Sequence, residues 1–171
     1  MKSAGNRTVA QADKPARPAS SVSSARLLPS KADMLRAEKL ASSGSWRRDL
    51  VSNSLVWSEG FYRILVLEPG SIAPSYEYYL RCIHPEDRER EENARSLLMQ
   101  VGFYEVRVRI LARDGIIRHV LNRGELLKDG ARAQIAGVTL DLTEHFLAQE
   151  ALRESQERFR AYTESASDWV W

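Results

Sequence analysis

The apolar residues of this chain change period at Gly102, and that change limits the folds open to it. Tyr104, Val106, Val108 and Ile110 alternate with Glu105, Arg107 and Arg109, which is a strand with one wet face. Asp114-Gly115 is a hairpin turn, and Ile116 to Leu126 is the partner strand. Lys128-Asp129-Gly130 turns the chain again, and Gln134 to Leu142 is a third strand. Three consecutive strands joined by tight turns make an antiparallel meander, because parallel neighbours need long crossover connections.

Upstream the pattern is mostly helical. Met34, Leu35, Ala37, Leu40 and Ala41 recur at helical spacing between Ala32 and Ser42. Gly44 to Leu50 and Leu55 to Ser58 read as a strand pair joined by Val51-Ser52-Asn53-Ser54. Ser58 is placed to cap a short helix, Glu59 to Val66, and Ser75 to Ile83 is a second one. A third helix opens at His84-Pro85-Glu86-Asp87. Proline suits a first helical position, and the helix dipole favours the two carboxylates. This helix is expected to run to about Gln100, to bury Ala94, Leu97 and Leu98, and to stop at Gly102. After Leu142 a charged helix follows directly, from Thr143 to about Ala166, with Asp141 and Glu144 at capping-box spacing. Strands grouped apart from helices give an α+β class. The expected architecture is one five-stranded antiparallel sheet with short helices covering one face, plus a C-terminal helix.

Composition narrows the function. With 43% hydrophobic residues, most of the chain can bury a core. Net charge is only +2, which argues against a dedicated nucleic-acid binder. The single cysteine, Cys82, excludes an internal disulfide framework and a multi-cysteine metal site. No apolar stretch approaches the roughly 20 residues that span a bilayer. Residues 1–31 have no aromatic residue and carry six basic residues against Asp13, so a disordered leader is expected there. Nothing in the sequence exports or anchors the chain, and a cytoplasmic protein is expected. No nucleophile–base pair or phosphate-cradling glycine loop is present, so no catalytic residue is assigned.

Several segments together resemble a PAS domain with its C-terminal PAC half, as found in bacterial sensor proteins. They are Gly44-Ser45-Trp46, Trp57-Ser58, Ile83-His84-Pro85-Glu86-Asp87-Arg88, Arg113-Asp114-Gly115, Gly137 and Asp141-Leu142-Thr143-Glu144. The resemblance implies a sensor domain over residues 32–142, a signalling helix over 143–160, and, from Ser165-Ala166-Ser167-Asp168-Trp169-Val170-Trp171, the start of a second PAS domain over 161–171. It also implies an input module that binds a small molecule in the cleft between sheet and helices, or dimerises, and so controls an output domain further along the chain. In this family that output is most often a histidine kinase, in a two-component phosphorelay. The alternatives are a diguanylate cyclase or phosphodiesterase output, or a ligand-free scaffold for protein interaction.

No cofactor is assigned. The flavin-binding relatives carry a cysteine within Asn-Cys-Arg-Phe-Leu-Gln, whereas here it lies in Leu80-Arg81-Cys82-Ile83-His84 and reads as a small structural residue. The haem-binding relatives carry an axial histidine in the long helix before the meander, and Pro85 to Gln100 contains none. His84 reads as a local cap, and His145 as a solvated residue of the exit helix. Trp46, Trp57, Phe61, Tyr79 and Phe103 either line a ligand cleft or fill the core. His119 either faces the same cleft or is a hydrogen-bonded sheet residue. Arg107, Arg109 and Arg118 read as a solvated face, or as contacts for a partner or an acidic ligand. Asp141 and Thr143 are expected to couple sheet to exit helix. That helix places His145, Leu152, Phe159 and Ala166 seven apart, and likewise Ala148, Ser155 and Tyr162. Such a frame suits a parallel homodimer.

Overall fold

A computed structural model describes residues 30–130 and 132–167. The expected leader therefore lies outside the described residues, apart from Ser30 and Lys31. Helix α1 spans Lys31–Leu40, β1 Ser43–Asp49, β2 Leu55–Trp57, α2 Glu59–Ile64 and α3 Tyr76–Cys82. A 3-10 turn, Pro85–Asp87, leads into α4, Arg88–Val101. Then come β3 Phe103–Leu111, β4 Ile117–Asp129, β5 Arg132–Asp141 and α5 Thr143–Ser167.

The five strands form one antiparallel sheet in the order β2-β1-β5-β4-β3. The meander β3–β4–β5 follows from its turns, with Leu111 opposite Ile117 and Asp129 opposite Arg132. The front hairpin then docks on the last strand, with Ser43 opposite Leu140 and Asp49 opposite Gln134. Side chains alternate across the pleat. On one face Tyr104, Val106, Val108, Ile110, Val120 and Ile135 are buried, and α2, α3 and α4 cover them with Phe61, Tyr79 and Leu98.

Ser58 fixes where α2 begins. Its hydroxyl accepts from the Phe61 amide at 3.3 Å, while its own amide donates to the Ser45 carbonyl at 2.9 Å. Helix α1 is fastened to this hairpin by Glu38, whose Oε1 accepts from the Ser45 amide and hydroxyl at 3.0 and 2.6 Å. Gly102 ends α4 with φ +84°, the left-handed C-cap that its position predicts.

One expectation about the helices is corrected. In α4 Leu97 is exposed, and Glu91 is buried beside Leu98 in its place. The helix turns its 91–98 stripe to the sheet, which leaves residue 97 on the wet side. Helix α5 runs to Ser167, and residues 168–171 of the expected second-domain start lie outside the described residues.

Candidate functional site

Four paired positions form a row across the helix-covered face of the sheet: Trp46 on β1, Gly137 on β5, Gly124 on β4 and Tyr104 on β3. The two glycines leave a trough, and the Trp46 indole lies in it. A Cβ on Gly137 would stand 2.3 Å from the indole Cζ2, and one on Gly124 would stand 2.3 Å from the Tyr104 ring. Trp57 stacks on Phe61 at 4.9 Å between ring centroids, and Phe61 leads to Tyr79 at 5.8 Å. These rings wall a cavity between the sheet and α2–α4, where about 40 Å³ is open to the centre of a water-sized sphere. Arg48, Tyr76, Glu91, Arg95 and Asn122 supply its polar lining.

The floor is a buried polar chain. Glu91 and Asn122 are each 1% exposed, and Thr139 is fully buried. Asn122 Nδ2 donates to Glu91 Oε2 at 3.2 Å and to the Tyr79 hydroxyl, while Thr139 Oγ1 donates to Asn122 Oδ1 at 2.7 Å. Among the described residues no cation lies within ion-pair distance of Glu91. Burial therefore pushes its carboxyl up to about 7, and the Asn122 hydrogen bond opposes this only in part. The Tyr76 hydroxyl, also at the cavity, is buried with no hydrogen-bond partner among the described residues. The Arg95 guanidinium lies 3.5 Å from the centre of the Tyr76 ring.

Trp46, Trp57, Phe61 and Tyr79 thus meet at the cavity. Phe103 does not: it is 63% exposed, because the pleat turns it to the opposite face from Tyr104. His119 lies on that opposite face too, stacked on Phe146 at 3.7 Å and 14°. The sequence reading missed Glu91, Asn122, Tyr76 and Thr139. A carboxylate on the core stripe of α4 and an asparagine on the buried stripe of β4 were the available signals.

Two ion-pair sites lie outside the lining of this cavity. Asp87, buried at the start of α4, accepts from the Arg109 amide at 2.7 Å and from its guanidinium at 2.9 and 2.8 Å, with Arg90 at 2.7 Å. The Arg109 hydrogen bonds hold the Asp87 carboxyl well below the usual carboxylate range. Arg109 and Arg118 are therefore engaged rather than a bare solvated face, and only Arg107 of the three stays exposed. His84 acts as the expected local cap, its Nδ1 accepting from the Glu86 amide at 3.4 Å. Cys82 is half-buried, and burial raises its thiol.

At the end of β5, Asp141 Oδ1 accepts from the Thr143 amide at 2.9 Å and hydroxyl at 2.5 Å. The Thr143 hydroxyl in turn accepts from the His119 amide at 3.0 Å, and Leu142 N donates to the His119 carbonyl at 2.8 Å. Asp141 thus bonds Thr143 rather than closing a box with Glu144. Arg118 Nε stands 3.7 Å from Asp141 Oδ2 and pairs with Asp114 at 2.8 Å. The first turn of α5 is held on β4, and residues 151–164 beyond it are exposed.

Among the described residues no three potential metal ligands gather, and no helix is long and apolar enough to cross a membrane. A profile of the PAS fold matches residues 54–139. The "Probable diguanylate cyclase DgcE" of Escherichia coli is 30% identical over 130 residues, which cover 74% of this chain and 12% of that protein. The sensor protein FixL of Bradyrhizobium diazoefficiens is 27% identical over 128 residues, 73% of this chain and 25% of that one. The chain thus spans a quarter or less of these relatives. A sensory box histidine kinase/response regulator structure from Burkholderia thailandensis superposes with TM-score 0.59 at 27% identity, over 75% of this chain and 98% of that one. With its five-stranded sheet, covering helices and exit helix, the chain belongs to the PAS fold family and contains a PAS sensory input domain.

Proposed function

We propose that residues 32–142 sense a signal in the cleft, or at a dimer surface, and pass it to an output domain through the connecting helix 143–160. The observation that carries this reading is the continuity from cavity floor to exit helix. Thr139, which closes the Glu91–Asn122 chain, lies two residues before Asp141, whose carboxylate fixes the first turn of α5. A change at the cavity that favours one of two positions of β5 changes the helix with it. The exposed Leu152, Phe159 and Tyr162 suit α5 to a parallel homodimer, in which rotation or sliding reaches the next domain. A histidine kinase output is the first reading, supported by the sensory box histidine kinase/response regulator of Burkholderia thailandensis, while the sensor protein FixL supports the sensing role. A diguanylate cyclase output is the second, supported by DgcE.

The test is the double substitution Asp141→Ala, Thr143→Ala in the full-length protein, with output activity measured with and without the native signal. Coupling is expected to fall while the domain still folds. An unchanged signal response would remove the junction from the mechanism. Mass spectrometry of extracts from the purified domain separates sensing from scaffolding: a reproducible small molecule supports the first, and an empty core the second.

A further inference from the structure

The cavity is polar in an ordered way. Its deep wall carries the Glu91 carboxylate, 1% exposed and bonded only to Asn122 among the described residues. Its rim carries two guanidinium groups. Arg48 is drawn to Asn53 Oδ1 at 2.9 and 2.5 Å, and Arg95 lies over the Tyr76 ring. Between the two ends are aromatic rings and the Tyr76 hydroxyl, which has no hydrogen-bond partner among the described residues. An uncompensated buried carboxylate favours a cation or a hydrogen-bond donor beside it. Aromatic faces accept an ammonium as readily as an alkyl chain. A simple cation, however, meets two like charges at the mouth, while a simple anion meets Glu91 at the floor. A molecule with an amine at one end and a carboxylate at the other satisfies both ends.

We propose that this cavity binds a small amino-acid zwitterion, its ammonium on Glu91 and its carboxylate on Arg95 and the Tyr76 hydroxyl. Glu91 and Arg95 are four residues apart on α4, neighbours on one helix face with Cβ atoms about 6 Å apart. That spacing suits a molecule of a few heavy atoms. The inference rests on the sensing reading and adds the ligand class to it.

Binding requires ionised Glu91. The titratable and charged groups that line the cavity with it are Tyr76 and Tyr79 from α3, Tyr104 from β3, Arg48 from β1 and Arg95 on its own helix, with Asn122 of β4 bonded to it and the exposed Glu92 next to it in the chain. Burial raises all three tyrosines, so they stay neutral, and Glu91 is left as the group that titrates near pH 7.

The experiment is calorimetric titration of the 171-residue chain with glycine, β-alanine and γ-aminobutyrate, using butylamine and butyrate as single-charge controls. At least one amino acid is expected to bind at least about tenfold more tightly than either control. Its affinity is expected to rise roughly tenfold from pH 6 to pH 8 as Glu91 ionises. Glu91→Gln, which keeps a hydrogen-bonding amide of the same shape, is expected to weaken binding tenfold or more and to abolish the pH dependence. Arg95→Gln is expected to weaken binding while leaving the pH dependence in place. A thermal melt of each variant checks folding. The proposal is overturned if none of the three amino acids binds, if either control binds as well as they do, or if folded Glu91→Gln binds as the native chain does. If an amino acid binds but leaves the full-length output unchanged, the sensing reading falls and this one stands. If none binds while the Asp141/Thr143 variant still uncouples the output, this proposal falls and sensing stands.

Discussion

Glu91 is a carboxyl group in the core with an amide for company instead of a cation. Its folded-state value, about 7, lies above the ordinary carboxylate range because burial disfavours the charge. The folded chain therefore holds this proton more tightly than the unfolded chain does. The stability linked to it is complete below the ordinary glutamate value and is lost as pH rises through about 7. Glu91→Gln, which cannot ionise, escapes that loss. The variant should gain stability relative to the native chain between pH 5 and pH 8, by an amount on the order of 2–3 kcal/mol, read from denaturant melts at both values. A difference that does not change with pH would show that Glu91 ionises without cost. Residue-scale chemistry of this kind was poorly legible in the sequence. Glu91 stands in a run of charges, Arg88-Glu89-Arg90-Glu91-Glu92, and only the docking of α4 decides which of them is enclosed.

At the scale of elements, the trough made by Gly124 and Gly137 decides where the first aromatic wall of the cavity stands. The two glycines are cross-strand partners, and the Trp46 and Tyr104 rings occupy the space that two Cβ atoms would take. Gly137→Ala would place a methyl 2.3 Å from the Trp46 ring and 2.4 Å from the Arg123 carbonyl oxygen, so indole or backbone must move. We expect a loss of about 1–3 kcal/mol in a chemical melt, together with a shifted tryptophan emission. Unaltered emission and stability would mean that the trough has slack. The elements themselves were well marked in the sequence. Alternation with two Gly-containing turns gave β3, β4 and β5, and Ser58 and Gly102 marked helix ends by their capping chemistry. Phe103 and His119 show the limit of such reading. Aromatic character says that a residue can line a pocket, whereas the strand's period of two, once in register, sends both to the far face.

Across the whole molecule, the sheet and its covering helices form the packed body, and α5 is attached to it by one turn. Phe146 against His119 and the Asp141–Thr143–His119 hydrogen bonds are that attachment, and residues 151–164 are exposed. A chain ending at Glu150 should melt within about 2 °C of the full chain, because residues 151–164 are exposed. The same truncation should abolish self-association in sedimentation velocity if α5 is the dimer seam. A large drop in melting temperature would mean that the helix folds back on the domain. By itself the sequence determined the α+β class, the order of the strands along the chain, the turns, and the helix that leaves directly from the last strand. Those features depend on local periodicity and capping, which act within a few residues. Packing in three dimensions was needed to pair β1 with β5, to join Glu91, Asn122 and Thr139 in one buried chain, and to close Arg109 on Asp87. These contacts join residues 17 to 97 positions apart, and no local propensity selects among the many partners available at such separations.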